Sequence, residues 1–117
     1  MSLNSEKYQA LVTLLEQLRA DVITTQIGAP ELRRRVASLL QLFGKEIVPL
    51  ADEHWRVQSY QTEMSKQLRL LEIDVMFFQG ARQVSTVQTR LQTIGDRLTT
   101  LIQYCNAILQ PEAEGEK

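Results

Sequence analysis

The spacing of apolar residues in the last third of the chain constrains the fold most. Apolar side chains recur there at alternating steps of three and four without a slip: Val84, Val87, Leu91, Ile94, Leu98, Leu101, Cys105 and Ile108. This spacing places all of them on one stripe of an α-helix, as in the seam of a coiled coil. Because such a stripe must be buried against other helices, the segment predicts a helical bundle.

Three earlier segments show the same helical spacing, and no segment alternates as a β-strand does. We predict helices at residues 5–24, 30–46, 52–78 and 82–110, with Pro30 in the first turn of the second helix and Asp52 capping the third. The short connections favour an all-α, antiparallel, up-down four-helix bundle with coiled-coil-like seams. Residues 111–117 carry three acids and no apolar spacing, which predicts a disordered acidic tail.

The region around Pro49 leaves two arrangements open. Gly44 and Pro49 favour a break, because proline has no N–H to donate and disfavours helical geometry in the residue before it. The helical spacing nevertheless continues across the proline: Phe43, Ile47, Leu50, His54 and Val57. The second and third helices are therefore either separate or merged into one long helix kinked at Pro49.

The third predicted helix is apolar on more of its circumference than one seam needs. One row continues the expected seam: Val57, Tyr60, Met64, Leu68, Leu71, Val75 and Phe78. A second row, Leu70, Ile73 and Phe77, lies roughly opposite, with Asp74 beside it. The second row either packs between two helices of the same chain or is exposed for self-association or a partner. Asp74 then either tunes specificity or lies at the rim in contact with water.

Arg33, Arg34 and Arg35 form the most basic run of the chain. Consecutive helical residues point about 100° apart, so the run predicts a solvated face more readily than a patch. The alternative is a contact for an acidic partner, with Arg56 or Arg69 close by in space. A formal net charge of −1 disfavours nucleic-acid binding by bulk positive charge.

The sequence lacks the residue patterns of catalytic, cofactor and metal sites. One cysteine and one histidine cannot supply a structural zinc site, and the five glycines stand alone, so there is no phosphate-binding loop. We therefore expect no enzyme activity and no cofactor. No signal segment and no run of about 20 apolar residues is present, so we expect a cytoplasmic protein without membrane insertion.

Several segments resemble the PatD family, small all-helical proteins of filamentous cyanobacteria. They are Lys7-Tyr8-Gln9-Ala10-Leu11, Leu14-Leu15-Glu16-Gln17-Leu18, Leu42-Phe43, Ile47-Val48-Pro49-Leu50 and the Gln/Thr-rich last helix. The resemblance implies a regulator of heterocyst frequency that binds the tubulin-like division protein FtsZ. It assigns no residue to that contact.

Three hypotheses follow from the residues and the resemblance together. The leading one is a regulatory interaction protein that binds FtsZ, with Leu70, Ile73, Asp74 and Phe77 or the Arg33–Arg35 turn as the contact. The second is a homodimeric assembly or scaffold module that uses the same row on the third helix and has no FtsZ role. The third is a small nucleic-acid-binding regulator that uses the arginines.

Overall fold

Four helices make up the part of the chain that the computed structural model describes, residues 3–24, 27–50 and 54–110. They are α1 (Leu3–Thr24), α2 (Ala29–Leu42), α3 (Trp55–Gly80) and α4 (Val84–Leu109), and a π-helical turn, Phe43–Ile47, extends α2. Over these residues the structure has no strand. This confirms the all-α prediction. The predicted acidic tail at 111–117 and the predicted cap Asp52 lie outside the described residues.

The helices run up, down, up and down around a common core. Ion pairs between successive helices agree with this antiparallel order. Asp21 of α1 pairs with Arg35 of α2, and Asp74 of α3 pairs with Arg97 of α4. Helix α4 contacts α1 and α3 extensively along its length, whereas the shorter α2 has a smaller contact with each of its neighbours.

The second and third helices are separate, so the alternative of one helix kinked at Pro49 is wrong. Helix α2 widens into the π-helical turn, in which the Val48 N–H donates to the Phe43 carbonyl at 2.9 Å. Pro49 cannot donate to the carbonyl four residues back, so the helix ends here and a turn follows. Helix α3 then returns antiparallel to α2, with Gln61 Nε2 donating to the Ile47 carbonyl at 3.4 Å.

The start of α3 differs from the prediction. His54 has an extended backbone, and its ring Nδ1 accepts a hydrogen bond from the Arg56 N–H at 3.2 Å. A histidine therefore caps the helix, which begins at Trp55 rather than at residue 52. Propensity alone favoured Asp52, because aspartate is a common cap and histidine is not.

The core consists of the seam residues that the spacing predicts. Most of the seam residues named above on α3 are buried, and so are half of those on α4. The apolar stripes of α1 and α2 are buried throughout: Tyr8, Leu11, Leu15, Leu18 and Val22 on α1, and Leu32, Val36 and Leu39 on α2 with Phe43 after it. The fully buried members, which form the centre of one cluster, include Leu11, Leu15, Leu32, Ile47, Met64, Leu71, Ile94, Leu98 and Leu101. Val84 is the exposed member of the α4 seam: it is 72% exposed at the first position of the helix, where the helix end lies beyond the core.

Candidate protein interface

The second apolar row of α3 lies on the surface. Leu70, Ile73 and Phe77 are 39%, 41% and 52% exposed, and Met76 beside them is 66% exposed. Their neighbours Leu71, Val75 and Phe78 point to the opposite side and are buried. We call Leu70, Ile73, Met76 and Phe77 the α3 surface row. The row thus does not pack between helices of the same chain. Sequence reasoning missed Met76, although its spacing of three from Ile73 was a signal.

Asp74 does not belong to this surface. Its side chain is buried and accepts a hydrogen bond from Arg97 Nε on α4. Gln67 Oε1 accepts from Arg97 Nη1 at 3.2 Å, so the guanidinium bridges two residues of α3. The prediction that Asp74 lies at the rim in contact with water is therefore wrong, because the carboxylate is buried in this ion pair.

A groove between α2 and α3 adjoins the α3 surface row. It has a volume of about 250 Å³ and is lined by residues of both helices: Arg33, Val36, Ala37, Arg69, Glu72, Ile73, Val75, Met76 and Gln79. Ile73 and Met76 belong to both the groove and the row, so the two form one continuous surface.

The three consecutive arginines do not form one patch, as their helical spacing predicts, because each has different neighbours. Arg34 forms two short hydrogen bonds with the Glu31 carboxylate, from Nη2 to Oε1 at 2.6 Å and to Oε2 at 2.7 Å. These bonds lower the pKa of Glu31 and raise that of Arg34. Arg35 pairs with Asp21 on α1. Arg33 alone reaches the α2–α3 groove.

Arg69 lines the same groove as Arg33, so the expected proximity of Arg69 to the basic run is confirmed for one of its members. Arg56 lies elsewhere, because its Nη1 donates to the Ala107 carbonyl at the end of α4, at 2.8 Å. Across the described residues, neither Arg33 nor Arg69 has a carboxylate within 4 Å. Both guanidiniums therefore remain free to bind an external anion.

The opposite edge of the α3 surface row is also flanked by a cation. The guanidinium carbon of Arg90 on α4 lies 4.7 Å from the centre of the Phe77 ring, a favourable cation–π distance. The apolar row is thus bordered by Arg33 and Arg69 on the α2 side and by Arg90 on the α4 side. The sequence alone does not show that these cations lie together, because their proximity depends on the registers of three helices.

The cysteine and the histidine of the chain occupy structural positions. Cys105 is fully buried in α4, and burial raises the pKa of its thiol to about 12, so the reactive thiolate is scarce. His54 serves as the cap of α3. Within residues 3–24, 27–50 and 54–110, no three His, Cys, Asp or Glu side chains lie close enough together to hold a metal ion.

A second exposed apolar site lies at the other end of α3. Trp55 is 72% exposed and Val48 is 56% exposed, and the Trp55 ring stacks on His54 with 6.3 Å between ring centres.

Comparisons with known proteins add no relative. No family model, no curated protein and no solved structure matches the chain. None of the helices that the structure describes is long and apolar enough to cross a membrane.

Proposed function

We propose that this protein is a non-enzymatic regulator that acts in the cytoplasm by binding another protein, with the α3 surface row as its contact. The resemblance to the PatD family names the partner as FtsZ and the process as control of heterocyst frequency. The single observation that carries the proposal is the exposed row of large apolar side chains beside an apolar groove.

Exposure of this apolar row to water is energetically unfavourable, and a role in binding would explain why the row is exposed. Large apolar side chains that stand side by side on a surface favour association, and such patches commonly mark interaction sites. Leu70, Ile73 and Phe77 lie on one face over two helical turns, so a partner could cover all three together. A few large side chains of this kind supply most of the binding free energy in typical interfaces.

The proposal is tested by titrating purified FtsZ against the labelled protein and following anisotropy, with the mass of the free protein recorded by light scattering. We expect saturable binding to the wild type and at least about a tenfold loss in the Ile73→Asp/Phe77→Asp variant, because each aspartate would have to be desolvated in the contact. Helicity and unfolding midpoint should stay close to wild type, since both side chains already contact water.

The matched control replaces exposed apolar residues outside the row. Ile23→Asp/Val48→Asp removes two exposed apolar side chains elsewhere and should leave FtsZ binding unchanged. Absence of FtsZ binding to the wild type would contradict the proposal. A stable dimer that the Ile73→Asp/Phe77→Asp variant dissociates, without FtsZ binding, would instead establish the homodimeric module.

A further inference from the structure

We propose that the α2–α3 groove and the α3 surface row together bind one short amphipathic helix of the partner, whose apolar stripe is bordered by acidic residues. The inference rests on the proposed function and specifies the element that is recognised. It depends on three features of the surface: its length, its apolar floor and the unpaired cations around it.

The shape of the surface fits a helix. Leu70 and Phe77 are seven residues apart on α3, which corresponds to about 10 Å along the helix axis, or two turns of a partner helix. The groove follows the line between two antiparallel helices, and a third helix can lay its side chains into such a groove as helices do in bundles. A peptide that binds by adding a β-strand would need a free strand edge, and the described residues form no strand.

The floor of the groove between α2 and α3 is apolar. Val36 and Ala37 contribute from α2, and Ile73 and Met76 contribute from α3. Met76 is unbranched and 66% exposed, so it can adjust its conformation to a partner side chain. Residues at spacing of three and four on a partner helix would reach this floor and the α3 surface row at the same time.

The charges at the borders set the chemistry of the partner. Arg33 and Arg69 line the groove and have no carboxylate of their own within 4 Å, and Glu72 is the acid that lines it within the described part of the chain. Arg90 flanks the other edge beside Phe77. Although the whole chain has a formal net charge of −1, this surface is cationic, which favours acidic residues on the partner.

Two other grooves of the bundle lack this combination. The groove between α1 and α2 contains Arg34 and Arg35, whose guanidiniums are paired with Glu31 and Asp21. The groove between α1 and α4 has apolar lining residues such as Leu91, but the charged residue that lines it is an acid, Asp96, and no arginine or lysine of the described residues does so. Among these three grooves, all within the described residues, the one between α2 and α3 therefore offers an acidic amphipathic helix unpaired cations beside an apolar floor.

The test uses a labelled synthetic peptide of about 18 residues, long enough for a helix. Leucines are spaced at three and four, and glutamates border the stripe; a second peptide has lysine at each glutamate position. We expect the glutamate peptide to bind with a Kd below about 1 mM and the lysine peptide to bind at least about tenfold more weakly. Arg33→Glu/Arg69→Glu should weaken glutamate-peptide binding about tenfold, and salt should weaken it in the wild type.

Arg34→Glu is the matched control, because Arg34 is exposed on the same turn but pairs with Glu31 away from the groove. It should change peptide affinity less than about twofold. Equal losses in both variants, or no binding of the glutamate peptide, would overturn the inference. Tighter binding of a labelled DNA duplex that the Arg33→Glu/Arg69→Glu variant abolishes would also overturn it, because the arginines would then contact phosphates.

The same variants separate this inference from the proposed function. If FtsZ binds the wild type and Ile73→Asp/Phe77→Asp abolishes binding while Arg33→Glu/Arg69→Glu does not, the groove inference is wrong and the proposed function stands. If the glutamate peptide binds as expected and FtsZ does not bind, FtsZ is not the partner and the groove inference stands.

Discussion

The two flanks of α3 use the same kinds of residue to opposite effect. On the α4 side, Asp74 pairs with Arg97 and the rings of Tyr60 and Tyr104 lie 5.6 Å apart, so the seam is closed. On the α2 side, apolar groups and arginines line an open groove, and Arg33 and Arg69 have no ion-pair partner in the described structure.

The two flanks differ in whether an arginine meets a carboxylate of the same chain. Between α3 and α4, Arg97 reaches Asp74 and the pair stabilises the seam. Between α2 and α3, Arg33 and Arg69 are exposed beside apolar surface. The α2–α3 groove is therefore better suited to binding a partner than the α3–α4 seam, because its arginines are not paired with carboxylates of the described structure.

The largest expected contrast is in thiol reactivity. Burial raises the pKa of Cys105 from 9.0 to about 12, which lowers the thiolate fraction at pH 8 roughly 1,000-fold. A cysteine placed at the exposed Ala37 in the open groove keeps ordinary access to water. We therefore expect the Ala37→Cys variant to show one fast and one very slow thiol in labelling with a chromogenic disulfide reagent, and the wild type to show only the slow one.

Two further results would sharpen this contrast. Addition of the glutamate peptide should slow labelling of the introduced thiol in Ala37→Cys, whereas urea should make Cys105 as reactive as a free thiol. Because the pKa of Cys105 is higher in the folded state, its contribution to stability is complete below pH 9 and falls as the pH rises from about 9 to about 12. Rapid labelling of Cys105 in the native wild type would show that the α4 seam is open.

The second contrast concerns Asp74. The sequence pattern placed this residue beside the exposed row of α3, whereas in the structure it is buried against α4. Asp74→Ala leaves Arg97 without its carboxylate, and we expect a loss of about 2 kcal/mol in the free energy of unfolding. This is less than for a fully buried pair, because Arg97 is 26% exposed and keeps its bond to Gln67. Urea unfolding followed by circular dichroism measures the loss.

The control for Asp74 is an exposed acid on the neighbouring helix. Asp96 accepts a hydrogen bond from Gln92 at 3.3 Å on the surface of α4, so Asp96→Ala should change stability by less than about 0.5 kcal/mol. Binding to FtsZ should remain intact in Asp74→Ala under conditions where the variant is folded. A variant with normal stability but no binding would show that Asp74 is a contact residue after all.

These residues also show how far the sequence determines the fold and the candidate site. The three-and-four spacing predicts the four helices and the buried seams, because burial of a stripe is a property of one helix at a time. It also identifies the second row on α3, since Leu70, Ile73 and Phe77 could not share the seam. The choice between burial and exposure of that row depends on helix packing, which the spacing does not specify.

The positions of the charged residues in and around the site could not be predicted from the sequence for the same reason. Asp74 and Arg97 meet because α3 and α4 pack antiparallel in one register, and Arg33 and Arg69 meet because α2 and α3 do. A local pattern contains no information on such distant pairs. His54 illustrates a smaller limit, because its role as a cap depends on the turn before α3 rather than on its own propensity.

The smallest expected effect tests how closely α4 packs on α1. Gly95 is a buried residue in the interior of α4, yet a Cβ atom added there would meet nothing within 4 Å. Gly95→Ala should therefore raise the free energy of unfolding by about 0.5–1 kcal/mol, because alanine loses less backbone entropy in a helix. Gly80→Ala, at the last residue of α3 and equally free of contacts, should gain less, since a helix end is less ordered. Both values come from urea unfolding.

If Gly95→Ala destabilises while Gly80→Ala does not, the helices at Gly95 pack too tightly for a methyl group. The packing of α4 against its neighbours would then depend on this glycine as well as on the ion pair between Asp74 and Arg97.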